Sequence, residues 1–163
     1  MKSSHPRTEL LLVFIGLLLV PPLLSAYGEA DAILQAAEGV FKTMKEQRFE
    51  ELWSLLTAKS RRTIVNDIFK ATSGSGGVPS KDQISNDMDK GGPTAQAYWR
   101  AFLQNFDPDT ALEQSKWELG PIKKDSAEII LQHKQSQNPA TIKLLRENGS
   151  WKMGLVETFW VGK

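Results

Sequence analysis

The hydrophobic period of this chain changes once, and that change limits the fold more than any other feature. Before about residue 107 apolar residues recur every three or four positions, and after residue 110 they recur at every second one. Ile33, Ala37, Val40, Phe41 and Met44 line one face of a helix predicted over Asp31 to about Gln47. A short helix over Phe49–Leu56 follows, with Leu52, Trp53 and Leu56 inward, and then one over Lys59–Ala71 with Ile64, Val65, Ile68 and Phe69. The run from Ser73 to Pro79 is too rich in glycine for a helix and predicts a flexible loop. Ser80, with Gln83 three residues on, reads as a capping box opening a fourth helix toward Met88. Gly91-Gly92-Pro93 separates this from a fifth helix carrying Tyr98, Phe102 and Phe106 at i, i+4 and i+8, which Asp107-Pro108-Asp109 is expected to stop.

The alternating half contains Trp117 and Leu119, Ile129 and Leu131, Ile142 and Leu144, then Trp151, Met153, Leu155 and Phe159, which predicts four antiparallel strands. Asn148-Gly149 is a strong two-residue hairpin signal. A turn there pairs Glu147 with Ser150, Arg146 with Trp151, Leu144 with Met153 and Ile142 with Leu155, sorting apolar residues from Lys143 and Lys152; a slip of one residue would undo that sorting. Helices followed by a meander of strands define an α+β domain in which helices cover one face of a curved antiparallel sheet.

The N-terminus reads as an export signal. Lys2, His5 and Arg7 precede the apolar run Leu10–Val20, Pro21-Pro22 breaks it, and Ser25, Ala26, Gly28 and Ala30 supply small residues for cleavage. A membrane-spanning helix needs roughly 20 apolar residues, so the run is too short to span and no stable membrane span is expected after cleavage. The division expected is a signal peptide at 1–26 and one domain at 27–163, with Gly28 and Ala30 as alternative cut sites. Export implies a periplasmic or secreted protein, and the lack of cysteine fits a bacterial envelope.

Composition removes several function classes. Without cysteine there is no CxxC zinc site, cysteine nucleophile, iron–sulfur cluster or lipidated cysteine, and 20 Lys plus Arg against 19 Asp plus Glu provide no field that would attract nucleic acid. The acidic residues are scattered and neither HExxH nor EF-hand spacing occurs, so no metal and no cofactor is expected. Lys59, Arg61 and Arg62 read as a solvated helix face.

Two stretches resemble a known superfamily. Ala36 to Lys42 leading into Phe49 to Thr57, together with the closing Arg146-Glu147-Asn148-Gly149-Ser150-Trp151-Lys152-Met153-Gly154-Leu155, resemble exported domains of the nuclear transport factor 2-like (cystatin-like) superfamily, and most closely the small DUF4878-type domains of unknown function. The resemblance implies a cone-shaped half-barrel enclosing a pocket, a scaffold used by isomerases, dehydratases, ligand carriers and docking proteins. The inserted region from Gly74 to Met88 departs from the simplest members. Such a fold does not specify a function.

An isomerase or dehydratase on this scaffold needs a carboxylate or histidine aimed into the cavity. His133 shares strand parity with Ile129 and Leu131, and Glu157 with Trp151, Met153 and Leu155, so both are candidates to face inward. The alternative places them at the rim of the sheet, solvated or paired with each other. Tyr98 and Trp117 could add a hydroxyl and an aromatic wall. The leading expectation is a non-catalytic domain binding a small apolar ligand or a partner protein through Tyr98, Trp117, His133 and Glu157. The runner-up is an acid–base enzyme using His133 and Glu157. Trp160, by strand parity on the opposite face with Lys152 and Thr158, is expected to mark a contact surface, and a homodimer is one form that contact could take.

Overall fold

A computed structural model describes residues 23–160 apart from 74–76 and 78; residues 1–22 of the expected 1–26 leader and residues 74–76 of the glycine-rich run lie outside the described residues. Helix α1 (Leu23–Lys45) turns the stripe Ile33, Ala37, Val40, Phe41 and Met44 wholly into the core. It stops short of Gln47 because that residue takes a left-handed φ of 55°, which reverses the chain into α2 (Phe49–Ser54). The expected cut sites fall in the first turns of α1, ahead of its first buried core residue, Ile33. Glu29, which forms an ion pair with Arg146 of the sheet, is retained by a cut behind Ala26 or Gly28 and lost by one behind Ala30.

Thr57 caps α3 (Ala58–Thr72) by accepting a hydrogen bond from the Ser60 N–H. Ser80 and Gln83 form the anticipated capping box at the start of α4 (Lys81–Asp89). Between α4 and α5 (Pro93–Leu103), Gly91 has a φ of 61° and leaves only 3.2 Å between its ideal Cβ position and the Glu50 backbone nitrogen, so a side chain there meets both strain and a clash. Phe106 lies beyond the end of α5. Asp107-Pro108-Asp109 does not merely stop a helix but starts another, α6 (Pro108–Leu112): the Asp107 carboxylate accepts from the Asp109 N–H, and proline occupies the first helical position.

The strands are β1 (Ser115–Ile122), β2 (Ser126–His133), β3 (Ala140–Glu147) and β4 (Ser150–Met153), antiparallel in the order β1-β2-β3-β4. Asn148 and Gly149, with φ of 51° and 79°, make the tight turn, and Leu144↔Met153, Arg146↔Trp151 and Glu147↔Ser150 pair as the turn dictates. The Arg146 guanidinium stacks over the Trp151 ring at 4.7 Å. Ala127, Ile129, Leu131, Ile142, Leu144, Trp151 and Met153 form the buried face against the helices, so the molecule is α+β with its N-terminal helices packed on a curved four-stranded sheet.

The last strand ends earlier than alternation predicts. Leu155–Phe159 is a helix, α7, and Ile142 does not pair with Leu155. Lys143 explains the change: its C=O accepts from the Gly154 N–H at 2.8 Å and its N–H donates to Thr158 Oγ1 at 3.0 Å, so the turn into α7 meets the needs a longer strand would have met. The outer edge of β4 is closed in the same region, where Met153 N–H bonds Leu55 O and Thr57 N–H bonds Met153 O. Strand parity beyond Met153 therefore fails: it would put Val156 on the outer face with Lys152 and Thr158, and Val156 is buried.

Candidate functional site

An apolar cavity of about 180 Å³ opens between the helices and the sheet. Leu131 of β2 and Ile142 of β3 form its floor, Phe41 of α1 and Ala111 of α6 its wall, and Phe106 and Phe159 its other side. It exists because the rings there meet at differing angles, Phe41 stacked on Phe106 and Phe106 edge-on to Phe159, and leave the corner incompletely filled. Phe41 lies 5.7 Å from Trp117 at 90° and 5.9 Å from Phe106, and Phe106 lies 6.0 Å from Phe159. Its polar lining residues are Thr110, Ser115, His133, Ser136 and Asn138.

His133 is the one expected site residue that reaches this cavity. It ends β2 opposite Ser115, so its parity with Leu131 does turn it to the inner face. Both ring nitrogens are occupied: Nδ1 accepts from the Gln135 N–H at 3.2 Å, which leaves the proton on Nε2, 3.3 Å from Gln114 Oε1. Glu157 sits elsewhere, on α7 rather than on a strand. Its carboxylate takes a hydrogen bond from Ser60 Oγ at 2.8 Å and lies 3.1 Å from Thr57 Oγ1, both at the start of α3. No hydrogen bond joins His133 to Glu157, and Glu157 does not line the cavity.

Trp117 backs the cavity wall through Phe41, but its own face borders a separate notch of about 260 Å³ with Leu34 and Leu112, and its indole N–H donates to Ala111 O at 2.8 Å. Tyr98 lies on the far side of the helical layer, packed edge-on against Trp99, where burial, aided by the charge of Asp67, pushes its phenol up to about 12. Thus the four expected residues do not converge. Trp160 is half-buried against the core, and the exposed aromatic is its neighbour Phe159, 43% accessible. Phe159 and Phe106 separate the cavity from a surface groove formed with Phe102, Asn105 and Trp160.

Sequence reasoning missed two things here. Phe41, Phe106 and Ala111 carry no signal beyond core hydrophobicity; only assembly reveals which apolar residues leave a gap. The Thr57–Ser60–Glu157 network was equally hidden, because it joins residues nearly a hundred positions apart. A larger cleft, about 470 Å³, separates α3 from α4 and is lined by Arg61, Arg62 and Lys81 but also by Asp82 and Asp89, so its charges largely cancel. Among the described residues no cluster of three or more His, Asp or Glu could hold a metal ion, and no helix is long and apolar enough to cross a membrane. Comparison of the chain with models of known families, with curated proteins and with solved structures finds no match.

Proposed function

We propose that this chain is an exported, non-catalytic binding domain of the nuclear transport factor 2-like kind that holds a small apolar ligand between its helices and sheet. The observation that carries the reading is the cavity itself, whose lining is mostly apolar, with seven aromatic or aliphatic side chains among a few polar ones. Its volume of about 180 Å³ suits a single ring or a short branched chain, on the order of six to ten heavy atoms, since an apolar cavity of similar size in another protein accepts benzene. Export rests on the leader sequence, and the superfamily on the quoted motifs together with the helix-then-meander order.

The acid–base alternative draws less support. It asks His133 and Glu157 to act on one substrate, yet the imidazole spends both nitrogens on Gln114 and Gln135 while the carboxylate bonds α3.

Native mass spectrometry of the purified protein tests for a co-purifying ligand, and benzene serves as a probe of the cavity. Benzene should raise the unfolding midpoint of the wild type, as any ligand specific to the folded state does, and Ala111→Leu, which fills the wall, should abolish the response. An equal response from both proteins, or none from either together with no co-purified ligand, would overturn the proposal.

A further inference from the structure

The two outer strands of the sheet are treated differently. β4 is closed by the Leu55–Thr57 segment, whereas the backbone hydrogen bonds of β1 run to β2 alone among the described residues. In an antiparallel ladder every second residue turns both its N–H and its C=O away from the neighbouring strand, so one alternate set in Ser115–Leu119 points its donors and acceptors outward from the sheet. Such an edge is a template for another strand. Its side chains are accessible as well: Lys116 is 75% and Glu118 53% exposed, and Leu119 stands 37% accessible on the inner face.

We propose that this edge pairs antiparallel with the same edge of a second copy of the chain, about a two-fold axis through Trp117. The register follows from geometry and charge. Outward-turned residues must face outward-turned residues, so a two-fold axis has to pass through a residue and not between two. An axis through Lys116 sets that lysine against itself, and one through Glu118 does the same with glutamate. An axis through Trp117 sets Lys116 against Glu118 of the partner subunit twice, exchanging the ion pair Lys116 and Glu118 now make within one strand, at 2.7 Å, for two across the interface. The notch of about 260 Å³ between Trp117, Leu34, Leu112 and Glu38 leaves room on the helix side of the edge for side chains of the second copy.

The ladder cannot extend past Leu119. The register with β2 shifts between Leu119 and Ile122, and Pro121 has no N–H to donate. Pairing is confined to Ser115–Leu119, which makes a short interface and a concentration-dependent dimer.

Sedimentation velocity of the purified protein across a concentration series tests this. Lys116→Glu and Glu118→Lys each place like charges opposite one another and should raise the dimer dissociation constant about tenfold or more, whereas the double variant Lys116→Glu/Glu118→Lys restores the complementary pairs and should return it to near the wild-type value. Both side chains are exposed, so at concentrations low enough for all the proteins to be monomeric the unfolding midpoints of the three variants should match the wild type, which separates lost pairing from lost folding. A wild type that stays monomeric at all concentrations, single reversals that leave association unchanged, or a double variant that fails to recover would each overturn the proposal.

Discussion

Ser60→Ala is the substitution that best probes how the end of the chain is tied to its helices. Ser60 is fully buried, and its hydroxyl serves three groups: it donates to Glu157 Oε2 at 2.8 Å, accepts from the Val156 N–H at 3.1 Å and lies 2.9 Å from Thr57 Oγ1. The Val156 N–H belongs to the first turn of α7, which has no intrahelical acceptor, so alanine leaves a buried donor unsatisfied at a cost of about 1–3 kcal/mol. Glu157 keeps Thr57 and some solvent, so its loss adds only about 0.5–1 kcal/mol. The sum, about 1.5–4 kcal/mol, is a large share of the ~5–15 kcal/mol typical of a domain, and lowers the unfolding midpoint by roughly 5–12 °C. Urea unfolding should show a lower midpoint concentration with an unchanged m value, and a cycle with Glu157→Ala should return a coupling of about 0.5 kcal/mol or more. Ser54→Ala, at an exposed hydroxyl, should stay within about 0.5 kcal/mol. A Ser60→Ala loss no greater than that of Ser54→Ala would refute the reasoning, because the network would then contribute nothing to stability.

Three further outcomes follow from the same geometry. The folded-state phenol of Tyr98 is raised from its ordinary 10.0 to about 12, so the unfolded chain releases this proton first; stability is unaffected below pH 10 and should fall by about 1.4 kcal/mol per pH unit between those values, a slope that Tyr98→Phe should remove in alkaline unfolding curves. Gly149→Ala places a side chain at a φ of 79° with no heavy atom within 4 Å of it, so the cost is backbone strain alone, about 1–2 kcal/mol by chemical denaturation. Trp160→Ala should cost about 2 kcal/mol and Phe159→Ala under 1, since Trp160 packs against the core while Phe159 is 43% exposed; equal losses would show that α7 does not bury Trp160 as described.

The candidate site was legible in the sequence only where a local rule reached it. His133 faces the cavity because strand alternation through Leu131 holds to the end of β2. Glu157 was assigned by the same alternation and lies elsewhere, since the strand it presumed had already ended at Met153. Tyr98 is an inward helical residue, as its spacing implies, but the helical layer has more than one inner surface, and periodicity does not say which of them borders the sheet.

Local chemistry alone determined the helix faces from Ile33 to Met44 and Ile64 to Val65, the capping box at Ser80, the Asn148-Gly149 turn and the pairing of Leu144 with Met153. Each depends on interactions spanning a few residues: side-chain spacing, a cap or the backbone preference of a turn. Tertiary structure decided the rest. β4 ends at Met153 because Leu55 and Thr57 occupy its edge and because Lys143 finds its partners in Gly154 and Thr158, contacts that no window of sequence contains. The cavity is likewise a property of the assembled rings: Phe41, Phe106 and Phe159 come from three separate segments, and the gap they leave depends on the angles at which they meet, which hydrophobicity, being without direction, does not encode.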